Sequence, residues 1–523
     1  MKSNFVDRRK FLKTCALSAA SFSLFGIDCT AGKTERPNIV YILADDLGYG
    51  DVGCLNPECK IPTPNINRLA ARGIRFTDAH SGSAVCTPTR YGILTGRYAW
   101  RTRLQSGVLW GYSRALIDKR RMTVASFLKK HGYTTGCIGK WHLGWNWALK
   151  KNVTLGDRKE VKFEEVDFSA PITNGPSSVG FDYSCNIPGS LDMVPYVYVE
   201  NDHVVELPTV TVEGRQNYQF YRSGPAAPGF KHENVLPELT QKAVQFIERQ
   251  TPAKPFFLYF PLSAPHTPIL PTKEFQGKTG LGPYGDFVVQ CDWTVGQILQ
   301  TLQRKGFAEN TLVIFTSDNG CSPMANFKHL SRLGHFPSYH FRGYKADIFE
   351  GGHRIPFLAR WPGKIKPNSQ CDDLICLTDL LATTADILGK KLPDYAGEDS
   401  ISILPDLLGT AKKPVREAIV HHSINGSFSV RRGKWKLELC PGSGGWSDPR
   451  PQKAAQLGLP MVQLYDLTRD IGEQNNLQYL YPDVVYRLTR LLERYVVNGR
   501  STPGKLQKND VEINIWKMQK LRQ

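Results

Sequence analysis

Three stretches constrain the fold of this 523-residue chain more than any other feature. Residues 38–44, 255–260 and 311–316 are runs of apolar, β-branched and aromatic side chains, and each gives way to a polar loop, holding Asp45, His266 and Asp318 respectively. A short run with no polar alternation is buried on both faces, as happens in a parallel sheet covered by helices. Between these runs lie helical patterns at 66–72, 123–131, 236–250 and 288–305. The alternation predicts an α/β fold, a wound and mostly parallel sheet with helices on both faces. Ligands of such sheets sit beyond the carboxyl ends of the strands, where the polar residues just named fall.

From about residue 414 the pattern changes to short runs at 418–422, 427–431, 435–439 and 463–467, followed by a helix over 483–497. These predict a small C-terminal α+β subdomain with an antiparallel sheet over 414–523, after a larger domain over 33–413. Residues 144–188, rich in glycine, proline and mixed charge, read as an insertion over the site. Residues 1–32 read as an export leader. Asp7-Arg8-Arg9-Lys10-Phe11-Leu12-Lys13 before a weakly apolar stretch resembles a twin-arginine signal, with an ordinary basic leader as the alternative. Either implies export, to the periplasm of a bacterium, with Cys29 as a poor lipidation candidate and an extracellular destination as a variant. No later apolar run is long enough to span a bilayer, so no transmembrane span is expected in the mature chain.

The formal net charge of +18 favours encounter with polyanions. No basic arm, helix-turn-helix, zinc finger or aromatic RNA-binding signature accompanies it, so an acidic polysaccharide ranks above nucleic acid as a partner. The 12 cysteines form no metal-type CxxC pairs. Cys54 and Cys59 are the candidates for a bridge in an oxidising compartment.

The chemistry centres on Cys86-Thr87-Pro88-Thr89-Arg90, followed by Tyr91 to Arg97. Pro88 suits a first helical turn, Gly96 a helix end, and Arg90 lies one turn after residue 86 on the same face. A helix amino end with a fixed arginine cradles an anion. The alternative is a buried structural thiol beside a surface charge. Asp45-Asp46 and Asp318-Asn319 both follow apolar strands, and adjacent carboxylates repel unless a cation joins them. Carboxylate and amide oxygens suit a hard ion, calcium or magnesium; a helix cap and a simple turn are the alternatives.

Four further segments occur in order along the chain: Gly139-Lys140-Trp141-His142-Leu143-Gly144, Pro265-His266-Thr267-Pro268, Arg342 to Asp347, and Glu350 to Pro356. Together with the Cys86, Asp45 and Asp318 motifs they resemble the type I sulfatases, and the resemblance extends over nearly the whole mature chain. It implies an alkaline-phosphatase-like fold and conversion of Cys86 to formylglycine (3-oxoalanine) by a formylglycine-generating enzyme. It also implies Ca2+ held by Asp45, Asp46, Asp318, Asn319 and the modified residue 86. By the same resemblance Arg90 and the cation lower the pKa of the attacking hydroxyl, and His142 is the base. His266 is the acid or hydrogen-bond donor at the leaving oxygen, and Lys140 and Lys345 bind the sulfate oxygens; the sequence leaves open which of His266 and Lys345 protonates the leaving group. The implied substrate is a sulfated glycan, of galactose or N-acetylgalactosamine sulfate type. Asp192 and Trp446, in glycine-containing loops, are candidates to bind sugar, an ordinary turn and a packed indole being the alternatives. Tyr344 and Asp347 depart from the small residues many relatives carry beside Lys345. Two rival functions remain open, a phosphonate or phosphate ester hydrolase and an inactive glycan-binding homologue.

Overall fold

The structure, a computed structural model, describes residues 36–154 and 156–517. The expected leader, with its export and lipid-anchor readings, lies outside the described residues.

The centre of the molecule is a ten-stranded mixed sheet. Five neighbouring strands are mutually parallel: β1 (Asn38–Asp45), β2 (Thr134–Lys140), β3 (Tyr183–Ile187), β4 (Phe256–Pro265) and β5 (Thr311–Ser317). Their spatial order is β5, β1, β4, β2, β3. Phe357–Arg360 joins β5 antiparallel, and short strands extend both edges. All residues of β1, β4 and β5 are buried, which is why their sequences show no polar alternation. Pro64–Ala71, Val235–Glu248 and Pro283–Arg304 pack together as one helical layer. Cys86–Thr95, Val124–Lys130 and Leu380–Ile387 form a second group, and both layers touch the sheet. The predicted wound α/β architecture is the one observed.

Two expectations are corrected. Residues 144–188 are not wholly an insertion, because their last part is β3, a strand of the main sheet. Cys54 and Cys59 do not bridge; every described cysteine is free.

A separate four-stranded antiparallel sheet consists of Ile419–His422, Phe428–Arg432, Trp435–Glu438 and Gln463–Asp466. The amphipathic helix Pro482–Val497 lies on it, and Val430, Leu437, Leu464, Leu488 and Leu492 share a small core with Tyr98 and Trp100. Among the described residues, no helix is long and apolar enough to cross a membrane.

Candidate active site

Four adjacent strands deliver the polar residues to one edge of the sheet. β1 ends in Asp45 and is followed by Asp46; β5 is followed by Asp318 and Asn319; β4 by His266; and β2 ends in Lys140, with His142 two residues on. Two of these residues hold positive φ, Asp46 at 65° and His142 at 53°. Non-glycine residues carry strain there, which persists where the surrounding structure demands a particular direction of the side chain.

Cys86 opens helix α1 (Cys86–Thr95), every residue of which is buried. The helix stops at Gly96, whose φ of 64° lets its N–H bond the Gly92 carbonyl. Ligand atoms of Asp45, Cys86 and Asp318 lie within 4.8 Å of one another, as do those of Asp45, Asp46 and His266. One turn on, Arg90 donates from Nε and Nη2 to Asp318 Oδ2 at 3.0 and 2.7 Å, and from Nη1 to the Lys140 carbonyl at 2.8 Å. Its guanidinium is thus committed to holding Asp318 and the end of β2.

Lys140 Nζ meets Asp45 Oδ2 at 2.6 Å, and Lys345 Nζ meets Asp46 Oδ2 at 2.7 Å. Asn319 Nδ2 donates to Asp46 Oδ1 at 2.7 Å. That orientation leaves Asn319 Oδ1 buried without a partner, and Asp45 Oδ1 likewise accepts no hydrogen bond. Burial opposes the charge on Asp45, but Lys140, His266, Arg90 and Lys345 outweigh it and hold the carboxyl well below the usual range. For Asp318 burial and then the Asp45 charge prevail, pushing it up to about 7. Crowded carboxylates with two orphaned, oxygen-only acceptors suit a hard divalent cation, so Asp45, Asp46, Asp318 and Asn319 fit the group expected for them.

The two histidines are held by backbone carbonyls. His142 Nε2 lies 2.7 Å from the Leu109 oxygen, so it carries the proton, and Nδ1 is a buried lone pair without a partner. Burial, Lys140 and Arg90 hold its pKa well below the ordinary 6.5. His266 Nδ1 donates to the Thr267 oxygen at 2.5 Å, and its Nε2 stands 3.7 Å from Asp46 Oδ2. Burial and Lys345 depress its pKa too. Of the six predicted catalytic residues only His266, at 8%, and Lys345, at 5%, keep appreciable exposure; Cys86 keeps 2% and Arg90, Lys140 and His142 none. Solvent therefore reaches the site from the His266 and Lys345 side.

The predicted sugar-binding residues make no direct contact with this cluster among the described hydrogen bonds and ion pairs. Asp192 is buried and ion-paired with Arg222, whose guanidinium also lies 4.7 Å from the Trp110 ring centre. Trp446 is half-buried, and its backbone N–H donates to Asp347 Oδ1 at 2.7 Å. Asp347 also accepts from Ser447 N and Tyr344 N, so it ties the 442–447 loop to the Lys345 segment. Sequence reasoning missed Arg222 and the Leu109 and Thr267 carbonyls. A lone loop arginine carries no signal, and a backbone oxygen carries none at all.

Comparison with known proteins finds relatives over most of the chain. The family model described as Sulfatase matches residues 37–390. The chain is 37% identical to the N-acetylgalactosamine-6-O-sulfatase of Bacteroides thetaiotaomicron, over 88% of this chain and 93% of that protein. It is 34% identical to human arylsulfatase A, over 84% and 83%. A solved structure from work on glycosaminoglycan metabolism by Bacteroides thetaiotaomicron matches with a TM-score of 0.77 and 36% identity, over 88% of this chain and 99% of that one.

Proposed function

The chain belongs to the sulfatase family of sulfuric-ester hydrolases, and from that premise we propose that it removes sulfate from a galactose or N-acetylgalactosamine residue of a glycan. The observation that carries the proposal is the convergence of Cys86, Lys140, His266 and Lys345 on the Asp45, Asp46 and Asp318 carboxylates at one sheet edge, with His142 close enough to feel the charges of Lys140, Arg90 and Asp45. The similarity to an enzyme named for N-acetylgalactosamine 6-O-sulfate favours that sugar and that position.

Counted formally, Asp45, Asp46 and Asp318 balance Arg90, Lys140 and Lys345. Ca2+, held by the three carboxylates, Asn319 and residue 86, would make the site a net cation that neutralises sulfate oxygens and favours an ionised hydroxyl. As a thiol, Cys86 is a poor nucleophile, because burial raises its pKa despite Lys140 and Lys345. As formylglycine, residue 86 would supply a hydrated aldehyde, with one hydroxyl to attack sulfur and a second whose deprotonation expels sulfate.

His142 Nδ1, the buried lone pair, would be the proton acceptor for a hydroxyl at residue 86. Arg90 acts by fixing Asp318 and the end of β2. Lys140 and Lys345 meet the sulfate oxygens, and His266 and Lys345, the least deeply buried of the six, face the leaving group. Neutral His266 spends its one N–H on the Thr267 carbonyl, so it donates to the leaving oxygen only as imidazolium. Lys345 needs no such step: burial opposes its charge, but Asp46, Cys86 and Asp45 together outweigh burial and keep it charged. Residues 33–413 carry this chemistry, while 414–523 support it through the 442–447 loop.

Two measurements on the native exported protein test the proposal. The tryptic peptide containing residue 86 should be lighter than the thiol peptide by about 18 Da. Sulfate should be released from 6-sulfated N-acetylgalactosamine or galactose. A retained thiol with no release would favour the glycan-binding alternative, and faster turnover of matched phosphonate or phosphate esters would favour the ester-hydrolase alternative.

A further inference from the structure

Away from the sulfate site, one ligand atom each from Cys371, Asp373 and Asp406 lie within 4.8 Å of one another. Cys371 ends the edge strand Ser369–Cys371 of the main sheet, Asp373 follows it, and Asp406 comes from the short helix Leu404–Leu407. Asp406 is only 3% exposed, and both its carboxylate oxygens are buried with no hydrogen-bond partner. A buried carboxylate without a donor is costly. The neighbouring charge that bears on it most is another carboxylate, Asp373, close enough for the two to share a proton.

Either a shared proton or a cation relieves such a pair. A proton serves the two carboxylates and leaves the thiol idle, whereas a divalent cation uses all three groups. The donor set differs from that around Asp45 once residue 86 is formylglycine, when the ligands there are all oxygens; with Cys86 a thiol, that cluster too offers one sulfur and two carboxylates. One sulfur with two carboxylates suits a borderline-soft ion such as zinc, which takes sulfur and oxygen ligands together. We infer that Cys371, Asp373 and Asp406 form a second metal site, of zinc class, with a fourth position for water. The ion fastens the sheet edge to the 404–407 segment. Binding exchanges the S–H bond of Cys371 for a sulfur–metal bond and releases the proton to solvent. Because the thiol gives up its proton on binding, affinity weakens as pH falls.

The test strips the full-length protein with a chelator and titrates it with Zn2+ alone, then separately with Co2+. Wild type should bind one equivalent of zinc more than either Cys371→Ser or Asp406→Asn. The cobalt-thiolate charge-transfer band should persist in Cys86→Ser and be lost in Cys371→Ser. Thermal unfolding and sulfate release establish that the Cys371 and Asp406 variants are folded. Equal zinc content in all three proteins overturns the inference, as does a cobalt band that survives Cys371→Ser and vanishes in Cys86→Ser. An Asp406→Asn protein of raised Tm and unchanged zinc content points to the shared proton and overturns it as well.

Discussion

His142 offers one free lone pair in a pocket that disfavours its protonation. Because its pKa lies below the ordinary 6.5, the base form persists into mildly acidic solution. The acidic limb of kcat/KM should accordingly fall below pH 6.5, and a limb at or above that value would remove His142 as the base. Lys140 and Lys345 each hold a carboxylate of the cation-binding group and face the sulfate in the proposed reaction. Replacing either by alanine should lower kcat/KM by about 10²–10³-fold in steady-state assays, the usual cost of one preorganised charge partner. Unchanged kinetics would remove the residue from the mechanism. At this scale the sequence was informative where a side chain follows directly on a strand: Asp45, Asp318 and His266 all sit at strand ends. It was silent on Arg222 and the Leu109 carbonyl, whose contacts join residues far apart in the chain, and on the Thr267 carbonyl, which is next to His266 in sequence but meets its Nδ1 only in the local backbone and ring conformation of the fold.

Among the elements, the Lys345 segment depends most visibly on a neighbour. Asp347 accepts three backbone N–H groups, from Tyr344, Trp446 and Ser447. Its replacement by alanine strands those donors at about 1–3 kcal/mol for each one that water cannot reach. Chemical denaturation of Asp347→Ala should show a loss on the order of 3 kcal/mol, together with a raised KM; wild-type stability would show that the loop is held by other contacts. The departure at residue 347 noted in the sequence is therefore a structural tie beside the site. Other elements explain the limits of reading a chain alone. β1 and β5 were legible because uniform burial selects unbroken apolar runs. β2 was hidden because its sequence, TTGCIGK, is small and partly polar, with Gly136 and Gly139 set against Phe246 and the Pro261 carbonyl. β3 lay inside a stretch whose glycines and prolines suggested loop. The helix read as 288–305 begins earlier, at Pro283, where proline suits the first turn.

For the whole molecule, the carboxylate cluster should couple ion binding to stability. An ion bound only by the folded chain at 100 times its Kd contributes about 2.7 kcal/mol, so chelation should lower Tm by a few degrees and added Ca2+ should restore it. A calorimetric Tm indifferent to both treatments would deny Asp45, Asp46, Asp318 and Asn319 a resident cation.

The depth at which Cys86 lies imposes an order of events on the life of the protein. Helix α1 is enclosed along its full length and residue 86 is 2% exposed, so a macromolecular oxidant has no approach to the thiol once the sheet has closed over it. In the proposed scheme, conversion of residue 86 to formylglycine precedes folding. The cell therefore has a single interval, between synthesis of this segment and its burial, in which to decide whether each copy becomes an enzyme; a copy that folds first stays a thiol protein for as long as its native state lasts.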